Sequence, residues 1–488
     1  VFAIIRENLD VTMNWTHLLA TGIAIAATAG CAASSAGNRS PAASANDSAP
    51  TIVVVLRDAS PPSQKARFEV SRSSALRSDG TAVDLAVLPT PPDGNGLEHE
   101  VLWLEGSIPF GSYSGLEISF RSAALSGAEG DSPLGVPEVP VPILVPFVAT
   151  ERSVVVLEVV LRSSLAGETP FRFSPVLEAR ERPRPPSGLL ALASVGAWEG
   201  VAVFDKRSGA LASVLPTGRG PEGLALDPER LRAYVAVSGE DAVAVLDLLE
   251  GRTLDRIFLR AGDSPRDVAL TRDGRTLVVA NAGSDTVSFL DPLSAIEVER
   301  VPVQGRPRSL LMDRDGSRAF VLAERSSTIT VVSVPGRSVT GSIAVESGPI
   351  RARFVGRASE RLLVAHDGSP HLLVVDPKTL AVERRVYVGS GARALEVDRR
   401  SGRIFLARAR TGRVEVFDSG SFLPVEEIPV PAEVAWLSVE SEGNRLGVLL
   451  RDPSEARIVG IVGSAIQTRT HLGGAPAALR FVQDEVGP

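Results

Sequence analysis

A short apolar strand ending in aspartate returns along this chain at a nearly constant interval. Val203-Phe204-Asp205, Val245-Leu246-Asp247, Phe289-Leu290-Asp291, Val375-Asp376 and Phe417-Asp418 are five copies. Val331-Val332-Ser333 and Ile458-Val459-Gly460 complete the series with the aspartate replaced. The steps between copies run from 42 to 44 residues. A unit of that length holding several short strands cannot bury both faces of its sheet alone, so units must stack on one another. Seven of them predict a seven-bladed β-propeller.

One unit reads clearly from Pro265. Strand A covers Asp267 to Thr271 and turns at Asp273-Gly274, strand B covers Thr276 to Asn281, strand C covers Thr286 to Leu290, and strand D covers Val298 to Val303. The segment Leu277-Val278-Val279-Ala280-Asn281-Ala282-Gly283-Ser284-Asp285-Thr286-Val287-Ser288 resembles the YVTN family of propeller repeats. The resemblance implies antiparallel four-stranded blades. The series opens at Leu189-Leu190-Ala191-Leu192, a B strand, and finishes at Pro476-Ala477-Ala478-Leu479-Arg480-Phe481, an A strand. The last strand is therefore expected to complete the first blade and leave no open seam.

Residues 51–182 carry alternating strands at Thr51–Leu56, Glu98–Leu104, Leu116–Phe120 and Ser153–Leu161, separated by Pro- and Gly-rich turns. A small β-sandwich is the expected packing, so the predicted fold class is all-β, a sandwich followed by the propeller. Ile108-Pro109-Phe110-Gly111-Ser112-Tyr113-Ser114-Gly115-Leu116 resembles the IPxGxYxxL signature of an uncharacterised β-sandwich domain of bacterial lipoproteins. Residues 183–187 are a Pro-rich linker, and the propeller occupies 188–488.

The first 31 residues read as an address. Leu18 to Gly30 is a short apolar run with the length of a signal-peptide core, ending in Thr28-Ala29-Gly30-Cys31. That ending resembles the bacterial lipobox, which implies acylation of Cys31 and a membrane attachment through lipid. Residues 32–50 are Ser-, Ala- and Asn-rich, as a flexible tether is. The expected location is the cell envelope, as an outer-membrane-anchored or periplasmic lipoprotein.

Composition narrows the function. The net charge of −7 argues against nucleic acid as a partner. The single cysteine excludes an internal disulfide, a cysteine metal cluster and a CxxCH haem site. The five histidines lack ligand spacing, so no metal or cofactor is expected, and no Gly-x-Ser-x-Gly elbow is present. The chain reads as a monomeric binding or scaffold protein for an envelope protein or an anionic ligand. The YVTN-like repeats also resemble those of lactonase-type propellers, which implies the alternative of a hydrolase with Arg351, His366 and Arg393 near the mouth.

The starts of A strands and the ends of B strands share one face of a propeller. The A-start positions are Glu222, Arg266, Arg308, Arg351, Arg393, Ala435 and Ala477. The B-end positions are Ser194, Ser238, Asn281, Glu324, His366, Arg408 and Leu450. The expected binding rim is Arg266, Arg308, Arg351, Arg393, Asn281, Glu324, His366 and Arg408. Arginine in four consecutive blades suits a carboxylate, a phosphate or an acidic segment.

Overall fold

A computed structural model describes residues 49–60, 66–88, 100–127, 130–162, 165–166, 172–180, 189–356, 360–440 and 442–482. The signal segment with Cys31, nearly all of the tether and the 183–187 linker lie outside them. Among the described residues there is no α-helix, and one short 3-10 turn, Gly196–Trp198.

The N-terminal strands are β1 (Thr51–Asp58), β2 (Ala66–Arg77), β3 (Ala82–Val87), β4 (Val101–Ser107), β5 (Gly111–Gly127), β6 (Gly130–Leu134), β7 (Val141–Ala149), β8 (Val154–Arg162), β9 (Leu165–Ala166), β10 (Arg172–Phe173) and β11 (Val176–Arg180). The expected sandwich takes the form of one continuous curled sheet, in the order β11-β8-β1-β4-β3-β2-β5-β6 with β7 also on β5. β1 and β8 are parallel and the other pairs antiparallel. The curl brings inward residues of β1 (Ile52, Val54, Leu56), β5 (Leu116, Ile118) and β7 (Ile143, Val145) into one apolar core. Each such side chain contributes about 1.5–3 kcal/mol by leaving water.

The IPxGxYxxL segment is a packing device. The Tyr113 hydroxyl donates to the Pro109 carbonyl at 2.7 Å while its ring stacks on Phe147, 4.8 Å between centroids. Gly115 has φ +156°, and a Cβ there would lie 2.0 Å from the Ile143 carbonyl oxygen, so β5 and β7 approach only because the side chain is missing.

Seven four-stranded sheets follow. Blade 3 runs Pro265–Leu270, Leu277–Asn281, Thr286–Asp291, Ile296–Pro302, as its sequence foretold. B strands are buried along nearly their whole length, because both faces meet neighbouring blades, and outer D strands expose most of their residues. The apolar clusters are accordingly interfaces. One joins blades 2 and 3, the next blades 3 and 4, and so on around the ring.

The recurring aspartate is a turn cap. Asp205, Asp247, Asp291, Asp376 and Asp418 each accept backbone N–H groups two and three residues ahead. In blade 4 the Ser333 hydroxyl takes over, accepting from Gly336. The period visible in the sequence is thus the period of one hydrogen-bonded turn.

Ring closure is as expected. Pro476–Phe481 pairs antiparallel with Leu190–Val195 and supplies strand A of blade 1. Lys206 then binds the joint, donating to Glu440 of blade 7 and to the Val482 carbonyl. The N-terminal sheet covers the same region. Val53 and Val55 share an apolar cluster with blades 7, 1 and 2, and Trp198 Nε1 donates to Glu105 of β4 at 2.8 Å. Burial at this contact pushes the Glu105 carboxyl above its ordinary range.

The propeller mouth as a candidate anion site

In each blade the register of strand A against strand B shifts directly after the first residue of A. Such a bulge turns one side chain away from the ladder and re-aims it. The re-aimed residues are Glu222, Arg266, Arg308, Ile350, Arg393, Ala435 and Ala477, and all seven line a cavity of about 420 Å³ at the axial mouth.

Two inner rings follow with the period of a strand. The first comprises Gly223, Asp267, Ser309, Arg351, Ala394, Trp436 and Ala478. The second comprises Ala225, Ala269, Leu311, Arg353, Glu396, Ser438 and Arg480, which line a cavity of about 440 Å³ at the other end. Blade 5 therefore departs from the expected alignment. Its bulged residue is Ile350, and Arg351 belongs to the ring below, where it still forms part of the mouth's floor.

Arg351 is held on three sides. Its Nη1 donates to Ser309 Oγ at 2.7 Å and lies 3.6 Å from Asp267 Oδ2, and its guanidinium lies over the Trp436 ring. Arg480 lies over the same ring from a centroid distance of 4.7 Å. Burial, together with the like charges of Arg353, Arg308 and Arg480 and against the attraction of Asp267, pushes the Arg351 guanidinium down to about 9. Below it, Arg353 grips Glu396 with two bonds of 2.7 and 3.0 Å.

At the rim, Arg266 pairs with Glu222, and Arg393 pairs with both Asp367 and Glu433. Burial raises the Glu222 carboxyl, with Arg266 and Arg308 pulling the other way. Arg306, Arg308 and Arg451 also line the cavity, and among the described residues none of the three has an ion-pair partner. Six arginines and two glutamates, Glu222 and Glu324, line the mouth.

The B-end expectation needs correction in three of its members. Asn281 is fully buried inside blade 3, where its Nδ2 donates to Thr286 Oγ1 at 3.1 Å and Ser288 Oγ at 2.7 Å. Ser288 passes the chain to Glu297, and Arg300 links Glu297 to Asp263. Gly283 of the same segment packs so closely that a Cβ would lie 2.0 Å from the Gly262 carbonyl oxygen. His366 is likewise fully buried, its Nδ1 3.4 Å from the His371 carbonyl, and desolvation lowers its pKa. Arg408 reaches across its blade to Glu415 at 3.0 Å. None of the three lines the mouth.

The reason is a one-residue offset. Asn281, His366 and Arg408 are the last B residues, paired with Pro265, Pro349 and Ala392. Glu324 comes one residue after the Ala323–Pro307 pair, and so faces the mouth. Gly196, Ala282 and Arg451 occupy the same position and also line it. The offset is why Arg451 escaped the sequence reading. Arg306 escaped because it precedes strand A, but its place directly before Pro307 marked it as part of the same loop.

Comparison with protein-family models gives no match, and none is found among curated protein sequences. Among solved structures, the hydrazine synthase of Kuenenia stuttgartiensis is 20% identical, over 51% of this chain and 80% of that one, with a TM-score of 0.45. The dihydro-heme d1 dehydrogenase NirN, solved in complex with DHE, is 13% identical over 62% and 78%, with a TM-score of 0.50. The likeness to NirN is one of fold alone, and neither match carries an activity across.

Proposed function

We propose that this protein is a binding module of the cell envelope whose propeller mouth takes an anionic ligand. The observation that carries the reading is the trio Arg306, Arg308 and Arg451, three guanidinium groups directed to one recess with no carboxylate in ion-pair contact among the described residues, Arg308 acting on Glu222 only at longer range. A guanidinium offers a planar fork of donors that carboxylate and phosphate oxygens match. The sevenfold repeat, with the resemblance of Leu277–Ser288 to YVTN units, and the lipobox-like ending at Cys31 support an anchored, envelope-facing scaffold. Chemistry of the lactonase type has less support, since it relied on His366, a residue enclosed within blade 5.

Isothermal titration of the full-length protein with acetate, inorganic phosphate and dicarboxylates tests the reading. Binding that is lost in Arg308→Ala/Arg451→Ala supports it, and heat-silent titration with every anion rejects it. Cys31→Ser tests the anchor separately, by loss of labelled palmitate incorporation and release from the membrane fraction.

A further inference from the structure

We infer that the mouth is built for a small molecule with two anionic groups, one held by Arg306 and Arg308 of blade 4 and the other by Arg451 of blade 7. This rests on the anion-binding reading above and narrows it. Blades 4 and 7 stand three apart in a ring of seven, the greatest separation the ring allows, so the two unpaired arginine groups face each other across the axis. Between them lies about 420 Å³, a small-molecule volume.

The charge balance favours discrete contacts over a broad field. Asp267 pairs with Arg351, Asp367 and Glu433 with Arg393, and Glu222 with Arg266. What faces the recess is a few separate guanidinium groups with Glu324 beside the blade 4 pair. A polyanion gains little from such a surface, because its affinity grows with the number of unpaired cations it meets. A single anion satisfies one bank only. A dianion satisfies both, and its second contact forms within the complex already made, at high effective concentration. Arg351, fixed by Ser309 and Trp436, supplies a rigid floor beneath the span.

The test is calorimetry on the full-length protein at fixed ionic strength. The probes are acetate, inorganic phosphate, linear dicarboxylates from malonate to suberate, methylenebisphosphonate and hexaglutamate. At least one dicarboxylate or the bisphosphonate is expected to bind tenfold or more tighter than its single-headed counterpart. Which of the two wins identifies the headgroup. Arg308→Ala and Arg451→Ala should each bring the two-headed probe down to the single-headed level, and the double variant, with both banks disrupted, should lose the binding that remains. Both side chains are exposed, and thermal melts coincident with the parent verify folding. Arg207→Ala, on the opposite face, should leave every affinity unchanged. Equal affinity for one- and two-headed probes, or tightest binding of hexaglutamate, overturns the two-bank inference while leaving an anion site. Absence of binding by every probe overturns the anion reading as well.

Discussion

The guanidinium of Arg351, from blade 5, lies over the indole of Trp436, from blade 7, with its Cζ 3.6 Å from the ring centroid. Both residues line the mouth and neither lines the lower cavity. A cation over an aromatic face is worth most where water is excluded, and Trp436 is buried. The Arg351 charge is balanced by Asp267, whose Oδ2 also accepts the Leu310 N–H at 3.0 Å.

Arg351→Met should therefore destabilise the protein by about 3–5 kcal/mol, since it leaves Asp267 buried without a cation. Asp267→Asn in the same chain should recover part of that loss. Urea denaturation of the single and double variants measures both. Additive effects would mean the two residues do not act as a pair.

Closure of the ring should depend on residues from both ends of the repeat region. Leu479→Ala, in the C-terminal strand, removes a fully buried side chain from blade 1, at a cost of about 2–5 kcal/mol. Lys206→Met removes the donor to Glu440 and Val482, and should cost a comparable amount. Deletion of residues 475–488 should abolish cooperative melting. A truncated chain that melts like the parent in differential scanning calorimetry would refute closure by that strand.

Glu324→Gln should strengthen anion binding. The glutamate lines the mouth on the same blade as Arg306 and Arg308, and removing one like charge near a bound anion is worth about 1 kcal/mol, roughly fivefold in affinity. Weaker binding in the variant would mean that Glu324 accepts a donor of the ligand. The titration that defines the parent affinity measures it.

Acid should loosen the blades through their turn caps. Asp291, Asp376 and Asp418 are held below the ordinary aspartate value of 3.8, chiefly because each carboxylate accepts backbone N–H groups ahead of it. The folded state holds these protons less tightly than the unfolded state. Their stabilising contribution is thus fully present above 3.8 and is lost as pH falls through the depressed folded values. Replacing the three by Asn keeps an acceptor and removes the titration. The variant's melting temperature should fall less steeply below pH 4 than the parent's. Parallel curves would exclude the caps as the source.

Much of this architecture was open to reading in one dimension. The Asp-ended strand repeats because each blade needs the same capped turn, so its spacing counts the blades. The opening B strand and closing A strand dictate where the ring joins, because an unpaired edge would remain otherwise. Local pattern and local hydrogen bonding suffice for both. The N-terminal sheet was less legible. Its alternating strands announced β structure, but parallel pairing of β1 with β8 is a long-range choice that no local pattern encodes.

The mouth could not be read to the single residue. Side chains alternate along a strand, so a bulge of one residue exchanges outward for inward. Only the assembled sheets reveal that each A strand carries such a bulge, and that in blades 1, 3, 4 and 7 the residue after the last A–B pair reaches the mouth. On that account Ile350 takes the rim and Arg351 the floor, Asn281 and His366 turn inward, and Arg451 enters from the far side. The sequence alone determined how many blades there are and how they close. The tertiary register decided which arginines share the recess, because packing of strand on strand, rather than position in the repeat, aims a side chain.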